Sequence, residues 1–274
     1  MIKLGICNET FKEKREFWPL KKVMEYISRL GYQGLEIAPF TLASSVEEIS
    51  PARRKEIRLL AEDYGLQIIG LHWLLASPKG LSITSSDKKV RARTAEYLKS
   101  LIEFCSDIGG KVLVFGSPKQ RKIENGSSYE EARKRAKEVF VNSLDEAKDR
   151  RVTICLEPLA RRETNFINTA KEAVSLIEEI DHPNFKLHLD VKAMSDEGRP
   201  IPKIIKENKK YLFHFHANDA NGLGPGFGKI DFGPIIKTLK EIGYSGFVSV
   251  EVFDLSPGSE KIAEESISYL RKFF

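Results

Sequence analysis

The sequence predicts an α/β fold in which eight parallel strands, each followed by a helix, close into a (β/α)8 barrel. Strand-like and helix-like segments alternate eight times along the 274 residues, an order that favours a parallel sheet. A closed barrel of this kind needs about 250 residues, so one domain over residues 1–274 uses nearly the whole chain. No glycine-rich dinucleotide fingerprint follows the first strand, which weakens the alternative of an open doubly wound sheet.

The predicted strands are short and rich in Val, Ile and Leu, as expected for a sheet covered by helices. In chain order they are IKLGICN, GLEIA, LQIIGLHW, KVLVFGS, RVTICLEP, NFKLHLD, YLFHFH and GFVSVEV. The predicted helices have apolar residues at three-to-four spacing. In chain order they are PLKKVMEYISRLG, SVEEISPARRKEIRLLAEDYG, SDKKVRARTAEYLKSLIEFCSDIGG, SYEEARKRAKEVFVNSLDEAKDR, NTAKEAVSLIEEI, PIPKIIKENKK, GPIIKTLKEIG and SEKIAEESISYLRKF.

The composition favours a globular enzyme, with 41% hydrophobic and 30% charged residues. The apolar runs are too short for a transmembrane helix, and the N-terminus enters a strand without a signal-peptide pattern. Cys7, Cys105 and Cys155 are scattered and odd in number, which argues against a disulfide framework. We therefore expect a cytoplasmic protein without a membrane partner. The net charge of +5 is spread among acidic residues, so no nucleic-acid partner is expected.

Four predicted strands end on residues that bind metals: Glu157, Asp190, His216 and Glu251. The C-terminal ends of barrel strands converge on one mouth, so these side chains should meet there. A carboxylate at the end of an apolar strand is costly to bury without a partner, and a bound cation would remove that cost. Three carboxylates and one imidazole predict an oxygen-rich site for a divalent ion such as manganese, magnesium or cobalt.

Three further histidines lie close to these strand ends. Residues two apart share a face of a strand, so His188 and His214 should lie one layer below Asp190 and His216. They would orient the ligands or the substrate, or else serve as hydrogen-bonded core histidines. His72 ends the third strand and is either a substrate contact or a structural histidine.

The segments CLEP, LHLDVKAM, HFHAND…GFGKIDF and YSGFVSVEVF resemble those of the xylose isomerase-like barrels. More narrowly, they are similar to the sugar phosphate isomerase/epimerase family, which includes the ketose 3-epimerases and inosose dehydratases. The resemblance follows the element order of the whole chain. It implies that Glu157, Asp190, His216 and Glu251 bind one divalent ion, with Mn2+ expected and Mg2+, Co2+ or Zn2+ as alternatives. It also implies that the two glutamates exchange protons with the sugar from opposite faces.

The resemblance further implies several substrate contacts. Glu163 matches a substrate-contacting glutamate of the ketose 3-epimerases, Glu36 matches an acidic residue at the end of the second strand, and His72 matches a substrate-facing histidine.

The chain also departs from the epimerase pattern. Ala193 and Gly222 stand where those enzymes have a histidine and an arginine that contact sugar hydroxyls. The side chains that could replace these donors, or else remain solvated loop cations, are Lys192, Lys119 and Arg121. The last two directly follow the fourth strand, where two cations could hold a phosphate or carboxylate.

The predicted activity is proton transfer next to a carbonyl of a small sugar or sugar derivative. The metal would act as a Lewis acid that stabilises an enediolate, with one of Glu157 and Glu251 as the base and the other as the acid. Epimerisation, isomerisation and dehydration all fit this site, so an inosose-type dehydratase or keto-glycoside lyase remains the main alternative. An apurinic endonuclease and a non-catalytic sugar-binding barrel are two further alternatives. Association into homo-oligomers is left open.

Overall fold

Eight parallel strands close into a barrel in the computed structural model, which describes residues 1–274. Strands are numbered in chain order, and β2 (Lys12–Glu13) and β3 (Glu16–Phe17) form a short antiparallel hairpin outside the barrel. The barrel strands are β1 (Lys3–Cys7), β4 (Gly34–Ile37), β5 (Gln67–Leu71), β6 (Val112–Phe115), β7 (Thr153–Leu156), β8 (Phe185–Asp190), β9 (Leu212–Ala217) and β10 (Phe247–Val250). Strand β10 pairs with β1, which closes the barrel and confirms the predicted fold class.

Helices connect the barrel strands and cover the outside of the sheet. They are α1 (Leu20–Leu30), α2 (Pro51–Asp63), α3 (Lys88–Asp107), α4 (Tyr129–Asp149), α5 (Ala170–Ile180), α6 (Val191–Ser195), α7 (Ile201–Glu207), α8 (Phe232–Glu241) and α9 (Ser259–Arg271). Local sequence fixes several helix ends. Ser128 and Glu131 form a capping box at the start of α4, and Gly31 ends α1 with a left-handed φ of 83°.

The structure differs from the predicted elements in three places. The hairpin β2–β3 was not predicted, and the second helix begins later than expected. Ser50 caps that helix by accepting a hydrogen bond from the backbone N–H of Arg53, and Pro51 occupies its first position. The short helix α6 was also missed, because Asp190 is both the last residue of β8 and the cap of α6.

Apolar side chains fill part of the barrel interior. Ile69, Val112, Val114 and Cys155 form a small buried cluster, whereas a larger apolar cluster joins the strands to the surrounding helices. Strands β5 and β6 approach closely at Gly70, where a Cβ atom would lie 1.9 Å from the carbonyl oxygen of Val112. The polar side chains that are buried in the barrel therefore collect towards its C-terminal mouth.

Two further expectations bear on the chain as a whole. All three cysteines are buried and none forms a disulfide, in agreement with their scattered positions in the sequence. None of the helices combines the length and apolar character that crossing a membrane requires.

Candidate metal centre and active site

The four predicted ligands meet at the C-terminal mouth of the barrel. Glu157 and Glu251 directly follow β7 and β10, Asp190 ends β8, and His216 lies in β9. All four are buried, and the three carboxylates line a cavity of about 40 Å³. His216 Nδ1 lies 3.0 Å from Glu251 Oε2. One donor atom from each of Glu157, His188, Asp190 and His216 lies within 4.8 Å of the others.

This donor set fits a hard divalent cation. Three carboxylates and one imidazole are the oxygen-rich type of site that suits manganese, magnesium and related ions. The carboxylate of Asp190 is already oriented, because Oδ1 accepts from the backbone N–H of Ala193 at 2.8 Å and Oδ2 accepts from Asn218 Nδ2 at 2.5 Å. Each carboxylate oxygen has more than one acceptor site, so these bonds leave lone pairs for an ion.

The acidity of the three carboxylates reflects their crowding. Burial, followed by the charges of Glu251 and Asp190, raises the pKa of Glu157 well above its usual range. Burial and the charge of Glu251 raise the pKa of Asp190 to about 6. Burial also opposes ionisation of Glu251, but attraction and a hydrogen bond from His216 lower its pKa overall. A divalent ion among them would favour the ionised form of all three.

Glu36 lies beneath the metal centre and not in the cavity wall. It is fully buried, with Oε1 hydrogen-bonded to His214 Nε2 and Oε2 2.9 Å from His216 Nε2. Burial opposes its ionisation, but the two histidines hold the pKa of Glu36 well below its usual range. The expectation that Glu36 contacts substrate is therefore corrected: both of its oxygens face histidines. Its ionised carboxylate accepts from His216 Nε2, which leaves Nδ1 directed at Glu251 Oε2.

His188 is also deeper than expected. Its side chain is fully buried and does not line the cavity, and neither ring nitrogen has a hydrogen-bond partner. Its ring packs against that of His216, with centroids 4.1 Å apart. Burial lowers the pKa of His188 well below its usual range, so the imidazole is neutral. The expectation of a substrate contact is corrected to that of a buried neighbour of His216, because no cavity surface reaches it.

His72 lines the cavity, but its nitrogens point into the protein. Nε2 lies 2.7 Å from Glu9 Oε2, and Nδ1 lies 3.8 Å from Glu36 Oε2. Burial opposes protonation, but Cys7 and Glu9 raise the pKa of His72 well above its usual range. The carbon edge of the ring is what faces the cavity in this arrangement.

Lys192 and Glu163 form an ion pair in the cavity wall. Lys192 Nζ lies 2.6 Å from Glu163 Oε1 and 4.0 Å from the ring centroid of Phe253. The other oxygen of Glu163 is buried without a hydrogen-bond partner. Lys192 is held there because its backbone N–H donates to Asn218 Oδ1 at 2.8 Å, at the start of α6. Both predicted residues therefore reach the cavity.

Lys119 and Arg121 do not form the predicted anion site. Lys119 is exposed and absent from the cavity wall. Arg121 is fully buried, and its guanidinium donates to the carbonyl oxygens of Glu157 at 2.6 Å and Phe115 at 2.7 Å. Burial lowers the pKa of Arg121 to about 10 against the attraction of Glu157, so it remains a cation. The expected pair is corrected because the loop after β6 turns Arg121 into the barrel and Lys119 out of it.

Several residues of the site were not predicted from the sequence. Asn218 positions Asp190, and Phe253 lines the cavity beside Trp73. Each follows a predicted ligand by two residues, so strand alternation was the available signal. Gly116 also lines the cavity, and a Cβ atom there would lie only 2.3 Å from Glu157 Oε2. No sequence signal distinguishes this glycine from an ordinary loop glycine.

The closed (β/α)8 barrel and the cluster of buried carboxylates and histidines at its C-terminal mouth are typical of barrel enzymes. The sequence model described as the xylose isomerase-like TIM barrel matches residues 24–273. The chain therefore belongs to this family, which confirms the resemblance seen in its strand-end motifs.

Its similar proteins include sugar epimerases. One is a probable ketose 3-epimerase of Synechocystis sp., which is 26% identical over 100% of this chain and 97% of that protein. Another is a D-psicose 3-epimerase of Ruminiclostridium cellulolyticum, 31% identical over 85% of this chain and 78% of that protein. The crystal structure of a D-psicose 3-epimerase in the presence of D-fructose shares the fold, with a TM-score of 0.87, 99% coverage of both chains and 23% identity.

Proposed function

We propose that this protein is a divalent-metal-dependent epimerase or isomerase of a keto-sugar. The observation that carries the proposal is the placement of Glu157 and Glu251 on either side of Asp190 and His216. Strands β7 and β10 flank β8 and β9 in the barrel, so two carboxylates approach one cavity from two directions. Reversible proton transfer at a carbon next to a carbonyl needs one group to remove a proton and another to return it.

The proposed ion is Mn2+, with Mg2+, Co2+ or Zn2+ as alternatives, held by Glu157, Asp190, His216 and Glu251. When bound, it supplies Lewis-acid polarisation of the substrate carbonyl. Glu36 supports this role, because its ionised carboxylate accepts from His216 Nε2 and fixes the ring with Nδ1 directed at Glu251, where loss of the Nδ1 proton would free this nitrogen as a ligand.

The proton steps are assigned to the two glutamates. Either residue can act as the base, and its partner then returns a proton to the substrate. In the reverse direction the two residues exchange roles. Delivery to the opposite face of the same carbon gives the epimer, and delivery to the neighbouring carbon gives the isomer.

The cavity favours an uncharged sugar over a sugar phosphate. Neither basic side chain in its wall is free to bind a phosphate, because Lys192 is paired with Glu163 and His72 with Glu9. Three carboxylates around one divalent ion, with the Arg121 cation behind Glu157, leave no surplus positive charge to attract an anionic substrate. The unpartnered oxygen of Glu163 and the remaining N–H groups of Lys192 are suited to sugar hydroxyls. Trp73 and Phe253 supply an apolar wall on the same side.

The experiment that tests the proposal is incubation with a panel of uncharged keto-sugars in deuterated water, with and without Mn2+. Deuterium incorporation and product formation are measured by NMR. We expect metal-dependent incorporation at the carbon next to the carbonyl, together with accumulation of an epimer or isomer. Incorporation with loss of water would identify the dehydratase alternative. Absence of exchange on every sugar tested, or cleavage of abasic DNA, would refute the proposal.

A further inference from the structure

Arg121 is among the largest side chains that are fully buried in this protein. It lies in the loop between β6 and α4, and its guanidinium spans the ends of two neighbouring strands. Nη2 donates to the carbonyl oxygen of Phe115 at 2.7 Å and Nη1 donates to that of Glu157 at 2.6 Å. The last backbone bond between these strands joins Glu157 N–H to the Phe115 carbonyl at 3.1 Å. Arg121 therefore extends the strand connection to the residue that carries the carboxylate.

Two carbonyl groups could accept hydrogen bonds from neutral donors, whereas burial of a guanidinium carries a large desolvation free energy. Removing a cation from water costs several kcal/mol unless nearby negative charge compensates for it. The compensating charge is close at hand, because the carboxylates of Glu157 and the cavity-lining Glu163 both attract Arg121. A divalent ion would neutralise only two of the three carboxylates Glu157, Asp190 and Glu251, and Arg121 would balance the third.

Arginine also suits this place by its geometry. Its planar guanidinium has donors on two terminal nitrogens, so it can hold two carbonyl oxygens at once in fixed directions. Lysine would keep the charge but could not hold both carbonyls in the same way. Replacing Arg121 by lysine therefore removes the positioning of the two carbonyl groups while it keeps the positive charge.

We propose that Arg121 is the positioning residue of Glu157, fixing the strand end from which this carboxylate reaches the metal and the substrate. The inference rests on the proposed function, since it assumes that Glu157 is a metal ligand. It concerns a residue that does not touch substrate and acts only through Glu157.

The test is the affinity for Mn2+, measured by isothermal titration calorimetry on wild type and Arg121→Lys. We expect Mn2+ to bind at least ~10-fold more weakly to the variant, as is typical when a group that orients a metal ligand is altered. At saturating Mn2+, kcat should remain reduced while KM changes less than about twofold, because Lys192 and Glu163 are untouched.

Arg54→Lys is the matched control. Arg54 is also buried and also donates to two carbonyl oxygens, those of Ile49 and Val46, but it lies on α2 outside the barrel. Its replacement should lower the melting temperature without changing Mn2+ affinity. Wild type that binds none of Mn2+, Mg2+, Co2+ and Zn2+ would refute the proposed function itself.

If wild type binds the ion and Arg121→Lys binds it within twofold, only the role of Arg121 is overturned. Equal weakening in both variants would overturn it as well, because the effect would then follow general destabilisation. Should Arg121→Lys not fold, Arg121→Gln takes its place. Loss of the nearby cation should by itself favour Mn2+ binding, so weaker binding would still report positioning, and binding within twofold of wild type would overturn the proposal. Failure of both to fold would assign Arg121 to folding and overturn the proposal.

Discussion

Gly116 offers a direct way to displace one carboxylate of the proposed site. It directly follows β6 and lines the cavity beside Glu157. A Cβ atom at this position would lie 2.3 Å from Glu157 Oε2 and 3.4 Å from its carboxyl carbon. The backbone at Gly116 is not left-handed, so alanine meets no conformational strain there. The substitution Gly116→Ala therefore acts on the carboxylate and not on the fold.

The size of the effect follows from this distance. An ordinary van der Waals contact begins at 3.4 Å, so the oxygen must move by about 1 Å to accommodate the methyl group. A misplacement of about 1 Å at a reacting group costs roughly 100-fold in rate, equivalent to about 2.7 kcal/mol of transition-state stabilisation. The free energy of unfolding should change by no more than about 1 kcal/mol. Alanine reduces the entropy of the unfolded chain, which stabilises the fold by about 0.4–1 kcal/mol where the backbone accepts alanine without strain.

The assay is kcat/KM for deuterium exchange on the best keto-sugar, together with thermal unfolding. Gly126→Ala is the control, because Gly126 lies in the same loop with a left-handed φ of 84° and no atom within 4 Å of an added Cβ. This control should lose about 1 kcal/mol of stability and keep its activity. A Gly116→Ala variant with kcat/KM within threefold of wild type would refute the reasoning that places Glu157 at the reacting centre.

Three further predictions concern the ligands and their support. Glu251→Gln should lower exchange by at least ~1000-fold, because it removes a proton carrier, with the melting temperature within a few degrees of wild type; near-wild-type exchange would remove Glu251 from the mechanism. Glu36→Gln should weaken Mn2+ binding by about 10- to 100-fold, measured by calorimetry, and unchanged affinity would show that His216 orients itself without Glu36. The pKa of Asp190 in the metal-free native state is raised to about 6, whereas an unfolded aspartate has a pKa of about 3.9. Between about pH 3.9 and about pH 6 the native state therefore binds a proton that the unfolded state has lost, and the free energy of unfolding falls as the pH rises through this range. Because Mn2+ must displace that proton, its addition should raise the melting temperature more at pH 7.5 than at pH 5, and a larger gain at pH 5 would contradict the assignment.

The barrel and the meeting of its four strand-end residues could be predicted because both depend on local patterns. Short apolar strands alternate with amphipathic helices, and each of the four strands ends on a carboxylate or imidazole. Parallel strands place their C-terminal ends at one mouth, so Glu157, Asp190, His216 and Glu251 had to come together once the fold was right. The positions of Asn218 and Phe253 at the site could also have been predicted from the sequence, since each lies two residues beyond a predicted ligand.

The place of Glu36 could not be predicted in this way. Its sequence surroundings are like those of Glu157, an acidic residue in a short apolar strand. The difference lies in what it meets inside the barrel, namely His214 and His216 of β9. Strands β4 and β9 do not pair with each other, so this contact depends on the diameter and stagger of the closed barrel. No spacing along the chain specifies that depth.

Lys119 and Arg121 show that the type of basic side chain helps to predict whether a loop residue is buried or exposed, which its position in the loop alone does not. The two residues are two apart in one loop, yet Lys119 is exposed and Arg121 is fully buried. A lysine ammonium is strongly hydrated, whereas a guanidinium is weakly hydrated and presents donors in a rigid fork. Only the second can leave water and satisfy two carbonyl oxygens at a strand end. An arginine in a loop that follows a barrel strand is therefore a candidate for internal support of the neighbouring strand-end carboxylate, whereas a role in binding a surface anion fits the lysine better.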